Sequence, residues 1–117
     1  SMLMDKAYDY ELAFQTLSAF EKLLQLKPET EHQAKYHLLM GRYFYHMADY
    51  TKSVIQLRAA AGYAALLKNK EVKALIGKDM ARTFDKLNMP DSALSAYRIF
   101  YEFNFARSMN TGYAPAK

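Results

Sequence analysis

Two segments of the chain can be laid over one another without a gap. MGRYFYHMADYTKSVIQL, Met40 to Leu57, and MARTFDKLNMPDSALSAY, Met80 to Tyr97, both carry Met, then a small residue (Gly41, Ala81), then Phe three further on (Phe44, Phe84). After a short turn both show a small residue (Ser53, Ala93) followed by an aliphatic one (Val54, Leu94). Ser53 and Ala93 stand 40 residues apart (93 − 53), and the rest of each segment keeps that offset. Self-similarity at such a period means one supersecondary unit used again, each copy burying its apolar face on the next. The whole chain of 117 residues is short enough for a single domain of this kind.

Only 3 Pro and 4 Gly interrupt the chain, so the units are long helices. Tyr10, Ala13, Phe14, Leu17, Phe20 and Leu24 recur at three- and four-residue steps and predict an amphipathic helix over 5–27, ended by Pro28. Thr30 and Gln33 have capping-box spacing and open the first repeat, 30–68, whose second helix begins at Asp49 as N-cap and runs to about Leu67. Gly62, inside that helix, predicts a neighbouring backbone at close range. The second repeat covers 70–109, with Pro90 in the first turn of the fifth helix, where its missing N–H costs nothing. Residues 110–117 lack periodicity and read as a flexible tail. The stretch YRIFYEFNF, Tyr97 to Phe105, alternates like a half-buried strand. Ala93, Leu94, Tyr97, Phe100 and Tyr101 nevertheless hold helical spacing from Pro90 onward, so the segment is predicted helical. The expected fold class is all-α with about five helices.

The repeat resembles the tetratricopeptide repeat, a helix–turn–helix with small and aromatic residues at set positions. Gly41, Phe44, the Ala48-Asp49-Tyr50 turn, Ser53, Leu57 and Ala60 match in the first copy, and Ala81, Phe84, Ala93 and Tyr97 in the second. FEKLLQLKP, ending at Pro28, is similar to the second helix of such a unit, so the likeness covers about residues 13–105. It implies a right-handed superhelical stack of antiparallel helix pairs. Three features depart from the family. The period is 40 residues (93 − 53) against about 34, which is similar to the long-helix variants of peptide-sensing bacterial regulators and kinesin light chains. His37 and Gly77 stand where a large aromatic is usual, and Phe100 where a small residue is usual.

Catalytic and metal chemistry find little support. There is no Cys for a nucleophile, a disulfide or a thiolate site, and no Ser lies in a nucleophile elbow. His32 and His37 are five residues apart, about 140° around a helix, and His37 and His46 fall on opposite faces, so none of these pairs can share a metal. His37 reads as a packed, hydrogen-bonded residue in an aromatic's place. Gly41, Gly62 and Gly77 are isolated within helices and form no phosphate loop, and Asp79 and Asp85 do not face one another. No enzymatic activity and no cofactor are expected. The chain lacks a signal-peptide pattern and any apolar run of about 18 residues, which suits a cytoplasmic location.

Net charge is +4, and part of it is patterned. Lys78, Arg82 and Lys86 form one stripe on the fourth helix; Lys35, Leu38, Arg42, Tyr45 and His46 form another on the second. The family resemblance implies that such positions line a concave groove for extended peptides, here cationic and suited to an acidic or mixed segment. The clamp for terminal carboxylates is not reproduced, because Leu38 and Asp79 replace its Lys and Asn. The alternative is a solvated face partly neutralised by Asp79 and Asp85. Reversing Arg42 and Arg82 is expected to abolish partner binding and leave melting unchanged. Nucleic acid is disfavoured because the aromatics occupy core positions rather than interleaving with the basic residues. A membrane-surface role is disfavoured because no helix joins a rich basic face to a clean apolar one.

The fifth helix has a surplus of apolar surface. On a wheel its apolar residues run from Ile99 through Phe103, Phe100 and Tyr97 to Phe105, an arc of about 240° where one covered face needs about 100°. Ile99, Phe100, Phe103 and Phe105 are therefore the candidate interface for a second copy of the chain. A third reading makes the chain the sensory or docking segment of a larger bacterial regulatory protein.

Overall fold

A computed structural model describes residues 8–110, without the side chains of residues 103, 104 and 106–110. Five helices follow one another: α1 (Tyr10–Leu26), α2 (Thr30–His46), α3 (Tyr50–Ala64), α4 (Lys70–Lys86) and α5 (Pro90–Asn110). Among the described residues there is no strand, and Tyr97 to Phe105 lie inside α5. Each helix packs on the next, and α2 also touches α4. The connections at 27–29, 47–49, 65–69 and 87–89 are short, which turns each helix back along its predecessor.

The repeat is visible in the turns. Ala48 and Asn88, 40 residues apart (88 − 48), both take the left-handed conformation, with φ of 64° and 58°. Asp49 N–H donates to the Phe44 carbonyl and Met89 N–H to the Phe84 carbonyl, both at 2.9 Å. Ala48 N–H bonds Tyr45 O at 3.0 Å and Asn88 N–H bonds Asp85 O at 3.1 Å. These paired bonds are the Schellman motif, used identically to end α2 and α4. Asp49 also caps α3, its carboxylate accepting from Lys52 N–H at 3.3 Å, as expected.

Several local expectations need correction. The first helix starts at Tyr10, capped by Asp9 through Leu12 N–H at 3.0 Å; residues 5–7 of the expected helix lie outside the described residues. Thr30 is no cap: Glu29 holds that position without a side-chain bond, and Gln33 Nε2 reaches Pro28 O at 3.2 Å. The extended Pro28-Glu29 segment sets the helix start one residue before the hydroxyl could serve. α3 ends at Ala64, short of Leu67. The tail residues 111–117 lie outside the described residues.

The core is built on small residues. One cluster joins Ala34 and Leu38 with Leu57, Ala60, Ala64, Val72 and Ile76; another joins Val54 with Ala81, Phe84, Ala93 and Ala96. Each fully buried Leu or Ile contributes about 2 kcal/mol, and the alanines let helices approach closely enough for that contact. Close approach occurs at Gly41 and Gly77, not at Gly62. A Cβ on Gly41 would lie 2.6 Å from Leu57 Cγ and Cδ2, and one on Gly77 would lie 2.9 Å from the Ala96 carbonyl oxygen. Nothing comes within 4 Å at Gly62, because it sits on the exposed side of α3.

The first helix is covered least. Leu17 is its one buried residue among the described ones, and Phe14, expected in the apolar face, is 63% exposed. Tyr36 ties α2 to it by donating to Glu21 at 3.1 Å. Burial, and then the Glu21 carboxylate, raise the Tyr36 phenol above its ordinary value.

Candidate functional site

The α2–α4 contact is organised around one buried acid. Asp79 is on α4, with its side chain 5% exposed. One carboxylate oxygen accepts from Arg42 Nε on α2 at 2.5 Å, and the other from Arg82 Nη2, one turn along α4, at 3.2 Å. Both arginines remain about one-third exposed, at 33% and 37%. The Arg82 guanidinium lies over the Tyr45 ring at 4.9 Å, which adds a cation–π contact. Arg82 Nε is buried without a partner. The helix register explains the grouping: Asp79 and Arg82 are three apart on α4, and α2 passes Arg42 and Tyr45 across them.

Behind this group runs a buried polar line. Ser53 on α3 donates to the Gly41 carbonyl at 2.8 Å, and Thr83 donates to the Asp79 carbonyl at 2.9 Å. Their hydroxyl oxygens lie 3.3 Å apart. Each hydroxyl has one proton, already directed at a carbonyl, so that separation is a contact rather than a further full hydrogen bond.

The predicted groove residues meet different fates. Arg42, Tyr45 and Arg82 come together. Leu38 does not join them: it is 5% exposed and packed in the core with Leu57 and Ile76, because apolar packing on α3 and α4 claims that side of α2. Lys35 pairs with Glu31 at 3.1 Å within its own helix. The His46 ring stacks on Tyr8 at 3.9 Å, and its carbonyl accepts from the Tyr10 hydroxyl at 2.7 Å, which places it in an aromatic cluster beside α1. Lys78 is exposed, with its ammonium 5.5 Å from the Phe100 ring centroid. Lys86 is exposed at the end of α4. Asp79 thus partly neutralises this face by pairing with both arginines, as the alternative reading had it, but it does so from a buried position beneath the face. Asp85 alone of the two acids is exposed.

This geometry also corrects the expectation that Arg42 and Arg82 can be reversed without harm to melting. Reversal would put two carboxylates against a third that is buried, with no cation to offset them. His37 stands as the sequence predicts, with Nδ1 2.7 Å from Gln56 Oε1 and its ring stacked on Tyr63 at 5.5 Å. Among the described residues no group of three metal-ligating side chains converges, and no helix is long and apolar enough to cross a membrane.

Two further surfaces were partly or wholly missed. A cleft of 610 Å³ opens between α3 and α5 on the far side of α4 from Lys78 and Arg82. Ala61, Ala64, Gly77 and Ala96 form its walls because none is large enough to fill it, and Arg58 and Lys73 stand at its rim. The signal was the small residues shared by three helices, which look the same whether they admit a neighbouring helix or leave a gap.

The other surface is the outer face of α5. Ile99 turns toward Gly77 and the cleft, and Phe100 is half-buried beneath Lys78. The Phe103 side chain lies outside those described. Phe105 is 70% exposed, in company the wheel had not singled out: Leu94 at 66% and Tyr101 at 61%. Both lie within about 40° of Phe105 at 100° per residue, so the spacing did contain them. Set against protein-family models, curated proteins and solved structures, the chain matches none significantly.

Proposed function

We propose that the chain is a non-enzymatic protein-interaction module of the tetratricopeptide-repeat kind, holding an acidic or mixed peptide segment against the face formed by α2 and α4. The observation that carries this reading is the pair of guanidiniums anchored by Asp79. Arg42 and Arg82 are fixed from below, yet each keeps about one-third of its side chain exposed, at 33% and 37%. Donors held in place before binding lose little freedom on meeting a carboxylate. Lys78 and Lys86 extend the positive row along the same helix, so the face is cationic after Asp79 is counted. The repeated Schellman turns and the small residues between helices support the family likeness. A chain without Cys suits the reducing cytoplasm for this role.

The test uses substitutions that spare the anchor. A fluorescent peptide of alternating Glu and Leu is titrated with the wild-type protein and with the Lys78→Gln/Lys86→Gln form. Anisotropy should report binding that weakens with added salt and falls about tenfold in the variant, while thermal melting stays put. Absence of salt-dependent binding, or equal affinity of the two forms, overturns the reading.

A further inference from the structure

The outer face of α5 carries a seam of its own. Leu94, Arg98, Tyr101 and Phe105 follow at steps of four, three and four, the spacing of a helix that packs along another helix. The three apolar members are 66%, 61% and 70% exposed, so nothing in the described chain covers them. Tyr97 borders the seam with its ring stacked on Tyr101 at 5.7 Å. Together with Arg98 and Glu102 these residues line a shallow trough. At about 100° per residue the seam is centred about 140° around the helix from Ala93, Ala96 and Phe100, the side turned to α4. One helix therefore presents apolar residues on two separate faces, and its own fold uses one.

Charge decides what fits the other. Arg98 and Glu102 are exposed, one turn apart, and form no ion pair among the described residues. Arg preceding Glu by four is the less favourable order for pairing within one helix. It is self-complementary between two antiparallel copies. Consider a two-fold axis passing between Ile99 and Phe100. Leu94 then meets Phe105 of the second copy, and Arg98 meets Tyr101 of the second copy with Glu102 beside it. One register satisfies the apolar layers, a cation–π contact and the ion pair, and the symmetry makes every contact twice. No like charges are opposed.

We infer that this α5 seam is the contact surface of an antiparallel homodimer, with Arg98 and Glu102 pairing across the two-fold axis. The surface is separate from the α2–α4 face, so it stands or falls independently of the peptide reading. Sedimentation equilibrium across micromolar concentrations should show a monomer–dimer equilibrium in the full chain. Tyr101→Asp should shift it to monomer with an unchanged melting profile at low concentration, since that ring is largely exposed. Arg98→Glu and Glu102→Arg should each weaken the dimer about tenfold, because each opposes like charges at two symmetry-related places. The double variant Arg98→Glu/Glu102→Arg should restore the ion pair and bind more tightly than either single variant, short of wild type by the lost Arg98–Tyr101 cation–π contact. A wild-type chain that stays monomeric overturns the inference, as do assemblies that grow beyond two copies. A double variant no tighter than the single ones also overturns it.

Discussion

Adding one methyl group at three glycines should give opposite results, because helix propensity and packing compete differently at each. In an unhindered helix interior, Gly→Ala is favourable by about 1 kcal/mol. Gly62 is such a site, with nothing within 4 Å of the new Cβ. Gly62→Ala should therefore stabilise the protein by about 1 kcal/mol, or roughly 5 °C in melting temperature. At Gly41 the same methyl would lie 2.6 Å from two atoms of Leu57, a residue with 0% exposure and no room to retreat. Overpacking of that kind costs about 1–3 kcal/mol, and two hard contacts put it at the upper end. With the propensity gain subtracted, Gly41→Ala should destabilise by about 2 kcal/mol, roughly 10 °C. Gly77→Ala meets backbone, the Ala96 carbonyl oxygen at 2.9 Å, so α4 and α5 must part slightly. It should lose about 1 kcal/mol net. Circular-dichroism melts and urea titrations of the three variants provide the measurement. Three changes of the same sign would refute the reasoning, since propensity alone would then govern all three sites.

Asp79→Ala should cost about 2–3 kcal/mol in urea titrations, the loss of two charge-assisted hydrogen bonds to arginines that can still turn to water. Arg42→Glu/Arg82→Glu should cost more, because Asp79 is then buried among like charges; an unchanged melting temperature would show that the acid is not confined as the geometry requires. Ala48 holds φ of 64°, where an L side chain other than Asn or Gly is strained by roughly 1 kcal/mol. Ala48→Gly should therefore raise stability by about that amount in thermal melts despite the lower helix propensity of Gly, whereas a loss would mean the Schellman turn is not formed.

Much of the architecture was legible in the residues themselves. The 40-residue offset between Ser53 and Ala93 (93 − 53) announced two equivalent helix pairs, and the equivalent turns at Ala48 and Asn88 carry that offset into the backbone. Pro28, Asp49 and Pro90 marked boundaries correctly because their effects are local: a fixed dihedral, a missing donor, a carboxylate within reach of the next turn's N–H groups. The helical reading of Tyr97 to Phe105 held for a related reason, since five alternating residues weigh little against a register that begins at Pro90.

Which face of a helix is used could not be read the same way. Gly41, Gly62 and Gly77 are alike as letters, and only neighbours distant in sequence separate the two crowded sites from the open one. Leu38 shared a stripe with Arg42, yet α3 and α4 close over the first and leave the second one-third exposed, at 33%. Asp79 looked like a surface counter-ion until the α2–α4 crossing placed it beneath two guanidiniums. Leu94 and Tyr101 share the helical spacing of Ala93 and Tyr97, yet α4 packs on the Ala93 side of α5 and leaves them exposed. Periodicity acts within about one turn of chain, so the sequence by itself determined that these helices form and that they repeat. Burial is a property of what the rest of the chain brings alongside, and that was decided by the tertiary structure alone.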